Sequence, residues 1–472
     1  MHRAPQAIAA PDPGSFRDPS GVVYRRDGVL YRQIHHAGRA DWEAVAATGL
    51  LDCLIEDGLL VGHRQVDPEH ALDDRAWTVL APEPVPFVSY PYEWSVRQLV
   101  DAALLTLTLQ ERAVRVGLTL RDASAYNVQL HAGRARFIDT LSFGPRDEGA
   151  PWVAYGQFCR HFLAPLAMYR FCGTVARAML RTHIDGVPLD EAVRVLPMRS
   201  WLQGGLVTHI HLHARATTRY AASAQGGAAP ARAPTVSTTG MLGLVDSLRR
   251  TVLACDREVR HTEWANYTAH TNYSDAAGRS KIDAVRQGLT TLAVRGPLER
   301  VWDLGANTGT FARVAAAHGA TVVALDIDEG AVDTHWRALA STEDPPSVLP
   351  LVQDLRNPSA ALGWAHQERA ALADRGPADA ILALALVHHL AISNHTPLER
   401  IARWFAQLGR GAIVEMVPHG DSQVKRLLAT RPGAFPDYTF EGFERAFGQH
   451  FQILERHPVA DSERVIYVLA AT

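Results

Sequence analysis

The sequence has 472 residues, more than one hydrophobic core normally holds, so its length predicts two or three domains. An apolar fraction of 47% is ordinary for a globular protein, and a net charge of −3 gives no reason to expect a nucleic-acid or membrane partner. The four cysteines have no C-x-x-C spacing, which argues against a zinc site or a disulfide framework. The first residues form no apolar segment, so we expect no signal peptide and a cytoplasmic protein.

The N-terminal region, residues 1–213, is predicted to be an α+β domain. The stretch from Gly21 to Ile34 predicts a β-hairpin that turns at Asp27-Gly28, a dipeptide suited to positive φ. A helix is expected from Trp42 to Leu60, and an apolar helix from Leu99 to Val116. A hairpin followed by helices favours a mixed domain.

A loop after the second helix carries polar residues at a distinctive spacing. Asp122 and Asn127 are followed, on a short predicted strand, by Asp139. These residues resemble the kinase catalytic loop, H-R-D-x-x-x-x-N, and the metal-binding Asp of D-F-G. The resemblance implies a base at Asp122 and magnesium ligands at Asn127 and Asp139. The sequence departs from the kinase pattern because Leu120 replaces the loop histidine, and Arg32 is the nearest cation where kinases have lysine. The alternative is that these side chains only cap the loop's own backbone.

Three histidines, His209, His211 and His213, alternate with apolar residues near the end of this region. On a strand the three rings would share a face and could bind a metal, but the neighbouring residues favour a helix. No further Cys or acid is spaced to complete a ligand shell, so we expect no metal site. Residues 214–240 are rich in small residues and Pro, which predicts a flexible linker before a second domain at 241–472.

The second domain carries the most informative segment of the chain. A buried strand ends at Asp303, a turn contains Gly305 and Gly309, a helical stretch follows, and a second apolar strand ends at Asp326. This order is typical of the first half of a nucleotide-binding α/β domain. No Gly-Lys-Ser/Thr follows, which excludes a P-loop. An acid directly before the turn favours a ligand with an ammonium group over a pyrophosphate.

The segment resembles motif I of the class I S-adenosylmethionine-dependent methyltransferases, Asp-x-Gly-x-x-x-Gly. That resemblance implies a doubly wound Rossmann-like fold with S-adenosylmethionine as the cofactor. It implies that Asp303 binds the ammonium group, that Asp326 holds the ribose, and that Ile327 packs on the adenine. It also assigns residues that line the cofactor at the turn and residues that flank the adenine after the third strand: Gly305, Ala306, Asn307 and Gly309 at the turn, and Asp354 and Leu355 after the strand.

Two later strands supply candidate catalytic residues. The apolar run that begins at Asp379 ends at His388-His389, and Gly411–Pro418 resembles the fifth strand of the same family. Open α/β sheets bind ligands at the carboxyl ends of their strands. A hydroxyl or protonated amine acceptor needs a base, for which His388 is the first candidate and Glu415 the second. Candidates for a lid over the cofactor, or simply for packing against the sheet, are Tyr267, Tyr273 and Lys281.

The sequence therefore predicts an S-adenosylmethionine-dependent methyltransferase that acts on a small-molecule or metabolite acceptor. The N-terminal domain is expected to bind the substrate or a partner. One alternative is an ATP-dependent small-molecule phosphotransferase activity in that domain. Another is a non-catalytic module that docks a carrier or partner protein and delivers a tethered substrate.

Overall fold

The computed structural model describes residues 9–218, 235–257, 275–429 and 435–472. Most of the predicted linker at 214–240, and the lid candidates Tyr267 and Tyr273, lie outside these residues. Within the described part of the chain, no helix has the length and apolar character needed to span a membrane.

The chain forms two compact units, which do not follow the sequence order strictly. The first comprises Met1–Leu130, Arg134–Glu258 and Leu362–Arg369, and the second comprises His131–Gly133, Val259–Ala361 and Ala370–Thr472.

The first unit is a mixture of short strands and helices. Its strands are β1 (Ala10–Pro11), β2 (Gly21–Arg26), β3 (Val29–His35), β4 (His63–Val66), β5 (Ala76–Pro82), β6 (Leu118–Leu120), β7 (Val128–His131), β8 (Arg134–Phe137) and β9 (Phe143–Pro145). Its helices are α1 (Arg39–Ala46), α2 (Leu50–Glu56), α3 (Val96–Arg115), α4 (Tyr155–Phe158), α5 (Ala164–Cys172), α6 (Val175–Thr182), α7 (Leu189–Val195), α8 (Gly204–Leu206) and α9 (Thr238–Cys255).

The first five strands form an antiparallel sheet in the order β1-β2-β3-β5-β4. The predicted hairpin is confirmed: Asp27 and Gly28 have φ of 52° and 79°, which matches the twist of the flanking strands β2 and β3. The single helix predicted from Trp42 to Leu60 is wrong, because the chain there forms two helices, α1 and α2. Gly49 lies between them with φ of 68°, a left-handed conformation that ends the first helix.

Helix α3 confirms the predicted apolar helix and positions the kinase-like loop. It starts after Ser95, whose backbone N–H donates to the Gln98 side chain at 2.8 Å, while the Gln98 N–H donates to the Ser95 hydroxyl. This reciprocal cap satisfies N–H groups that a helix start leaves without partners. Strands β6 and β9 pair antiparallel, strands β7 and β8 form a hairpin, and the loop with Asp122 connects β6 to β7.

Helix α9 belongs to the first unit, whereas its position in the sequence suggested the start of the second domain. Arg249 of this helix donates to Glu111 of α3 at 2.8 Å, and Arg97 of α3 donates to Asp256 at 2.7 Å. The apolar face of α9 is buried. The spacing of Met241, Val245 and Leu248 is that of an amphipathic helix, but such spacing does not specify which core covers the apolar face.

The three histidines lie on a helical segment, as predicted, with a π-helix at Val207–Leu212. His209 sits between the hydroxyls of Tyr155 and Ser247, each 2.9 Å from one of its ring nitrogens. Burial lowers the pKa of His209 to about 4, so the ring is neutral at physiological pH. Among the described residues, no cluster of three or more His, Cys, Asp or Glu side chains could hold a metal ion.

The second unit has the strands β10 (Arg300–Leu304), β11 (Thr321–Asp326), β12 (Val348–Val352), β13 (Ala380–Ala383), β14 (Gly411–Met416), β15 (Phe451–Pro458) and β16 (Val465–Ala471). Its helices are α10 (Asp275–Ala293), α11 (Thr310–Ala317), α12 (Glu329–Ala340), α13 (Leu398–Leu408), α14 (Ser422–Leu428) and α15 (Phe440–Phe447), with a π-helix at His389–Ser393.

These strands form one sheet in the order β12-β11-β10-β13-β14-β16-β15. The first five strands in this order are parallel, and β16 runs antiparallel to both of its neighbours, β14 and the edge strand β15. Every residue of β12, β13 and β14 is buried, as expected for parallel strands covered on both faces. The order reverses between β10 and β13, which is the switch point where open α/β sheets bind ligands. The predicted Rossmann-like fold of this half is confirmed.

Candidate functional site

The turn after β10 brings the backbone close to the switch point. Gly305, Asn307 and Gly309 all have positive φ, at 79°, 49° and 80°. A Cβ on Gly309 would overlap the ring of His335, so only glycine fits between this ring and the turn. Helix α11 begins directly after Gly309, and its first N–H groups are suited to an anion.

Gly309→Ala is therefore expected to lower the free energy of unfolding by about 3 kcal/mol, from left-handed strain plus overpacking against His335. Gly319→Ala is the matched control, since Gly319 has φ of 96° and no heavy atom lies within 4 Å of the position that a Cβ would take there. We expect that control to lose only about 1 kcal/mol, the cost of the backbone strain. Urea unfolding measures both, and equal losses would contradict the close contact with His335.

Asp303, the next-to-last residue of strand β10, is a buried acid with an oxygen that accepts no hydrogen bond from the described residues. Asp303 is 2% exposed, and its Oδ2 has no hydrogen-bond partner among the described residues. Burial, together with the nearby carboxylate of Asp326, raises the pKa of Asp303 to about 7. A buried carboxylate oxygen without a partner is costly unless a ligand supplies its hydrogen bond.

Asp326 ends the neighbouring strand β11 and ties two turns together. Its Oδ2 accepts from the Asn307 N–H at 2.7 Å, and its Oδ1 accepts from the Asp328 N–H at 2.8 Å. Burial raises the pKa of Asp326, while these two N–H groups favour its charged form. The next residue, Ile327, is 45% exposed, which is unusual for a large aliphatic side chain at the end of a buried strand. The two residues thus present an acid and an apolar surface beside the glycine turn.

The predicted adenine-edge residues follow strand β12. The Gln353 N–H donates to the Asp326 carbonyl at 2.7 Å, which fixes this chain segment beside β11. Asp354 forms a two-point contact with Arg356, at 3.0 and 3.1 Å, and Leu355 is buried. The role of Asp354 and Leu355 at the adenine stays a prediction.

His388 lies just after the carboxyl end of β13 and is fully buried. Neither of its ring nitrogens has a hydrogen-bond partner among the described residues. Its ring centre lies 4.1 Å from that of His389. Burial, with smaller contributions from His389 and Lys281, lowers the pKa of His388 well below its usual value. The ring is therefore neutral and has a lone pair that can accept a proton.

Glu415 lies on β14 and is fully buried, but both of its oxygens are engaged. Its Oε2 accepts from Lys281 Nζ and from the Ala385 N–H, each at 2.8 Å, and its Oε1 lies 3.4 Å from Arg464. Ala385 has φ of 51°, in the turn that leads from β13 to His388. The structure thus makes Glu415 a charged anchor for this turn, while its predicted role as a base stays untested.

Lys281→Met is expected to lower the free energy of unfolding by about 3–5 kcal/mol, because it leaves the buried Glu415 carboxylate without its nearest cation. Lys281→Arg keeps the positive charge, so its free energy of unfolding is expected to fall by less. Lys425→Met removes an exposed lysine from α14 and serves as the control, with a change within about 0.5 kcal/mol. Thermal and urea unfolding report all three variants; a Lys281→Met protein as stable as the control would contradict the anchor.

The first unit contains a separate cavity of about 200 Å³, lined among others by Asp122 and Asp139. Asp122 accepts from the Ser124 N–H at 2.8 Å and from Gln157 at 2.7 Å, and burial raises its pKa. Loop capping of this kind is the alternative that the sequence left open. At the same time, the two acids of the kinase-like pattern face one space, as the resemblance implies.

Arg32 of β3 forms an ion pair with Asp139. The second oxygen of that carboxylate accepts from the Ser142 hydroxyl at 2.5 Å, and Asn127 donates to the same hydroxyl at 3.3 Å. The structure therefore brings Asn127 and Asp139 together through Ser142, and it places a cation on the acid that kinases use for magnesium.

A curated relative covers almost the whole chain. It is the nodulation protein NoeA of Rhizobium meliloti (strain 1021), which is 33% identical over 467 residues, with 97% of this chain and 96% of that protein covered. The chain belongs to the NoeA family. No family model matches the sequence.

Solved structures similar to this NoeA-family chain include three proteins. WbdD, in complex with a kinase inhibitor, is 18% identical over 45% of this chain and 44% of its own, with a TM-score of 0.29. Magnesium protoporphyrin IX methyltransferase from Synechocystis PCC 6803 covers 44% of this chain and 92% of its own, at 18% identity and a TM-score of 0.31. N-methyltransferase NodS from Bradyrhizobium japonicum WM9 covers 42% of this chain and 98% of its own, at 12% identity and a TM-score of 0.30. At such low identities and TM-scores, the fold assignment rests on the strand order.

In this member of the NoeA family, the predicted cofactor residues converge on two adjacent strand ends. The Asn307 N–H joins the glycine turn to Asp326, and Leu386 of the β13 turn lies 3.5 Å from a Cβ built on Gly305. Sequence reasoning missed Arg464 and His335. No local signal marks either residue, because each acquires its role from a partner that is distant in sequence.

Proposed function

We propose that this NoeA-family chain is an S-adenosylmethionine-dependent methyltransferase acting on a small-molecule acceptor. The observation that carries the proposal is the buried Asp303 carboxylate, whose Oδ2 accepts no hydrogen bond from any residue that the structure describes. An ammonium group would satisfy this oxygen and offset the cost of burying the charge. The described residues therefore fit a cofactor that carries both an amine and a ribose.

Each end of the cofactor has a candidate partner. Asp303 binds the ammonium group, and the turn of Gly305, Ala306, Asn307 and Gly309 lines the methionine moiety. The first N–H groups of α11 are suited to its carboxylate. Asp326 holds the ribose, and the exposed Ile327 supplies an apolar surface for the adenine, with Asp354 and Leu355 at its edge.

When bound, S-adenosylmethionine supplies a methyl group that is already activated on its sulfonium. The residues of the chain then have to align the acceptor and exclude water. A neutral His388 accepts the proton of an acceptor hydroxyl or ammonium through a ring nitrogen that no described residue engages. Glu415 acts as a positioning residue, since it holds the Ala385 N–H of the turn that carries His388.

Calorimetry with S-adenosylmethionine and with S-adenosylhomocysteine tests the proposal. We expect binding of both, and its loss in Asp303→Ala. Asp326→Asn keeps one acceptor oxygen for the turns, so it separates ribose binding from folding better than Asp326→Ala does. Absence of heat with either ligand, from a protein that unfolds cooperatively, would refute the assignment.

The first unit supports a second candidate function, an ATP-dependent phosphotransferase with a kinase-like fold. The observation that favours it is the shared cavity of Asp122 and Asp139. Magnesium-dependent ATP binding that is lost in Asp139→Ala, and kept in Asp41→Ala of the same cavity wall, would support it. No ATP binding would favour the remaining alternative, a non-catalytic module that docks a carrier or partner protein.

A further inference from the structure

The first unit exposes large apolar side chains on one short turn. Met198 and Leu202, at the two ends of the 3₁₀ helix Met198–Leu202, are 80% and 87% exposed. Val195, at the end of α7, precedes them and is also exposed. Single exposed apolar residues are common, but a group of three that protrudes from one place marks a contact surface.

Three arginines, one in this turn and two that contact the rings of Phe171 and Trp201, stack on aromatic rings. The guanidinium of Arg199 lies 5.5 Å from the centre of the Phe171 ring, and that of Arg170 lies 5.6 Å from the same ring. Arg215 lies 4.7 Å from the Trp201 ring. Among the described residues, no carboxylate forms an ion pair with these three arginines. We call Arg170, Val195, Met198, Arg199, Leu202 and Arg215 the arginine–apolar patch.

The two acids of α7 contact other side chains rather than these arginines. Asp190 and Glu191 lie on α7, but Asp190 pairs with Arg194 at 2.9 Å and Glu191 with His183 at 3.1 Å. Stacking on aromatic rings holds the guanidinium groups in place while leaving their charge available. The patch is therefore positively charged and calls for an anionic occupant.

We propose that the arginine–apolar patch binds the surface of an anionic lipid bilayer. Most of the surface of Met198 and of Leu202 is exposed, and a bilayer accepts exposed apolar side chains without a matching pocket, whereas a protein partner needs one. The arginines can reach lipid phosphates, and Trp201, under the Arg215 guanidinium, is an aromatic ring of the kind that is enriched at membrane interfaces. The overall charge of −3 does not oppose this, because charges beyond about 10 Å are screened at physiological salt.

Co-sedimentation of the full chain with vesicles tests the proposal. Vesicles of phosphatidylcholine alone are compared with vesicles that also contain phosphatidylglycerol. We expect binding to the anionic vesicles only, and weaker binding at high salt. The double variant M198S/L202S is expected to reduce the partition coefficient about tenfold or more. R199S/R215S is expected to reduce it by a similar factor, since each arginine near the surface contributes about fivefold.

Two control variants change equivalent side chains outside the patch. V153S replaces a valine that is 71% exposed, and R250S replaces an exposed arginine of α9 that pairs with Asp246. Both should bind vesicles as the unchanged protein does. Equal binding to neutral and anionic vesicles, no binding to either, or binding that both double variants retain would overturn the proposal. Capture of the protein by immobilised polyglutamate, with no vesicle binding, would identify an acidic polypeptide as the occupant and also overturn it.

Discussion

Binding of S-adenosylmethionine is expected to weaken about tenfold between pH 8 and pH 6, with most of the loss below pH 7. In the free protein, burial and the Asp326 carboxylate raise the pKa of Asp303 to about 7, so this carboxyl group is largely protonated at pH 6. The ammonium group needs the carboxylate, and binding at low pH therefore releases a proton. Calorimetry in two buffers of different ionisation enthalpy counts the protons: close to one at pH 6 and close to none at pH 8.

The same pKa predicts the opposite trend for the stability of the free protein. A carboxyl group whose pKa is higher in the folded state stabilises the fold below its unfolded value of 3.8, and this contribution is lost as the pH rises to about 7. The Asp303→Asn variant has no carboxyl group to ionise at this buried position, so its stability does not fall for this reason as the pH rises. We expect the variant to unfold at a higher temperature than the unchanged protein at pH 8.

Asp303→Asn should also weaken binding about a hundredfold at pH 8 and abolish the pH dependence, because it removes one charge-assisted contact. Asp283→Asn, an exposed acid on α10, is the control and should change neither property. An affinity that is independent of pH in the unchanged protein would contradict the role of Asp303. So would an Asp303→Asn protein that binds as tightly as the control.

His388→Ala is expected to lower the turnover number by about a hundredfold to ten-thousandfold with a hydroxyl or ammonium acceptor, because the general base is removed. Binding of the cofactor should stay nearly unchanged, since the variant leaves Asp303 and the glycine turn intact. Product formation is followed by mass spectrometry as a gain of one methylene on the acceptor. For the unchanged protein, the low pKa of His388 predicts no loss of turnover from protonation of this ring near neutral pH.

The control for His388→Ala is His318→Ala, an exposed histidine just after α11, which should retain full turnover. Glu415→Gln distinguishes the two base candidates. We expect it to lose stability, because both of its oxygens bind cations or an N–H group, rather than to lose turnover alone. Full turnover in His388→Ala, measured with an acceptor that carries a transferable proton, would refute the assigned base.

Several parts of the structure follow from short stretches of sequence. The turn at Asp27-Gly28 and the glycines of the β10 turn require positive φ, which few residue types adopt at low cost. The apolar runs of the second unit predict buried parallel strands, and the acids near the carboxyl ends of β10 and β11 must then lie near one another at the switch point. The residues of the proposed cofactor site can therefore be predicted one by one from the sequence.

Other features depend on contacts between residues that are distant in sequence, so only the tertiary structure determines them. Glu415 meets Lys281 and Arg464, which are 134 and 49 residues away, and Arg32 meets Asp139 although over a hundred residues separate them. Helix α9 covers α3 rather than the second domain, for its apolar spacing suits either core. Backbone geometry and apolar periodicity act over a few residues, so a sequence displays them directly. Which charge pairs with which, and which core a helix covers, depends on the burial that the whole fold creates.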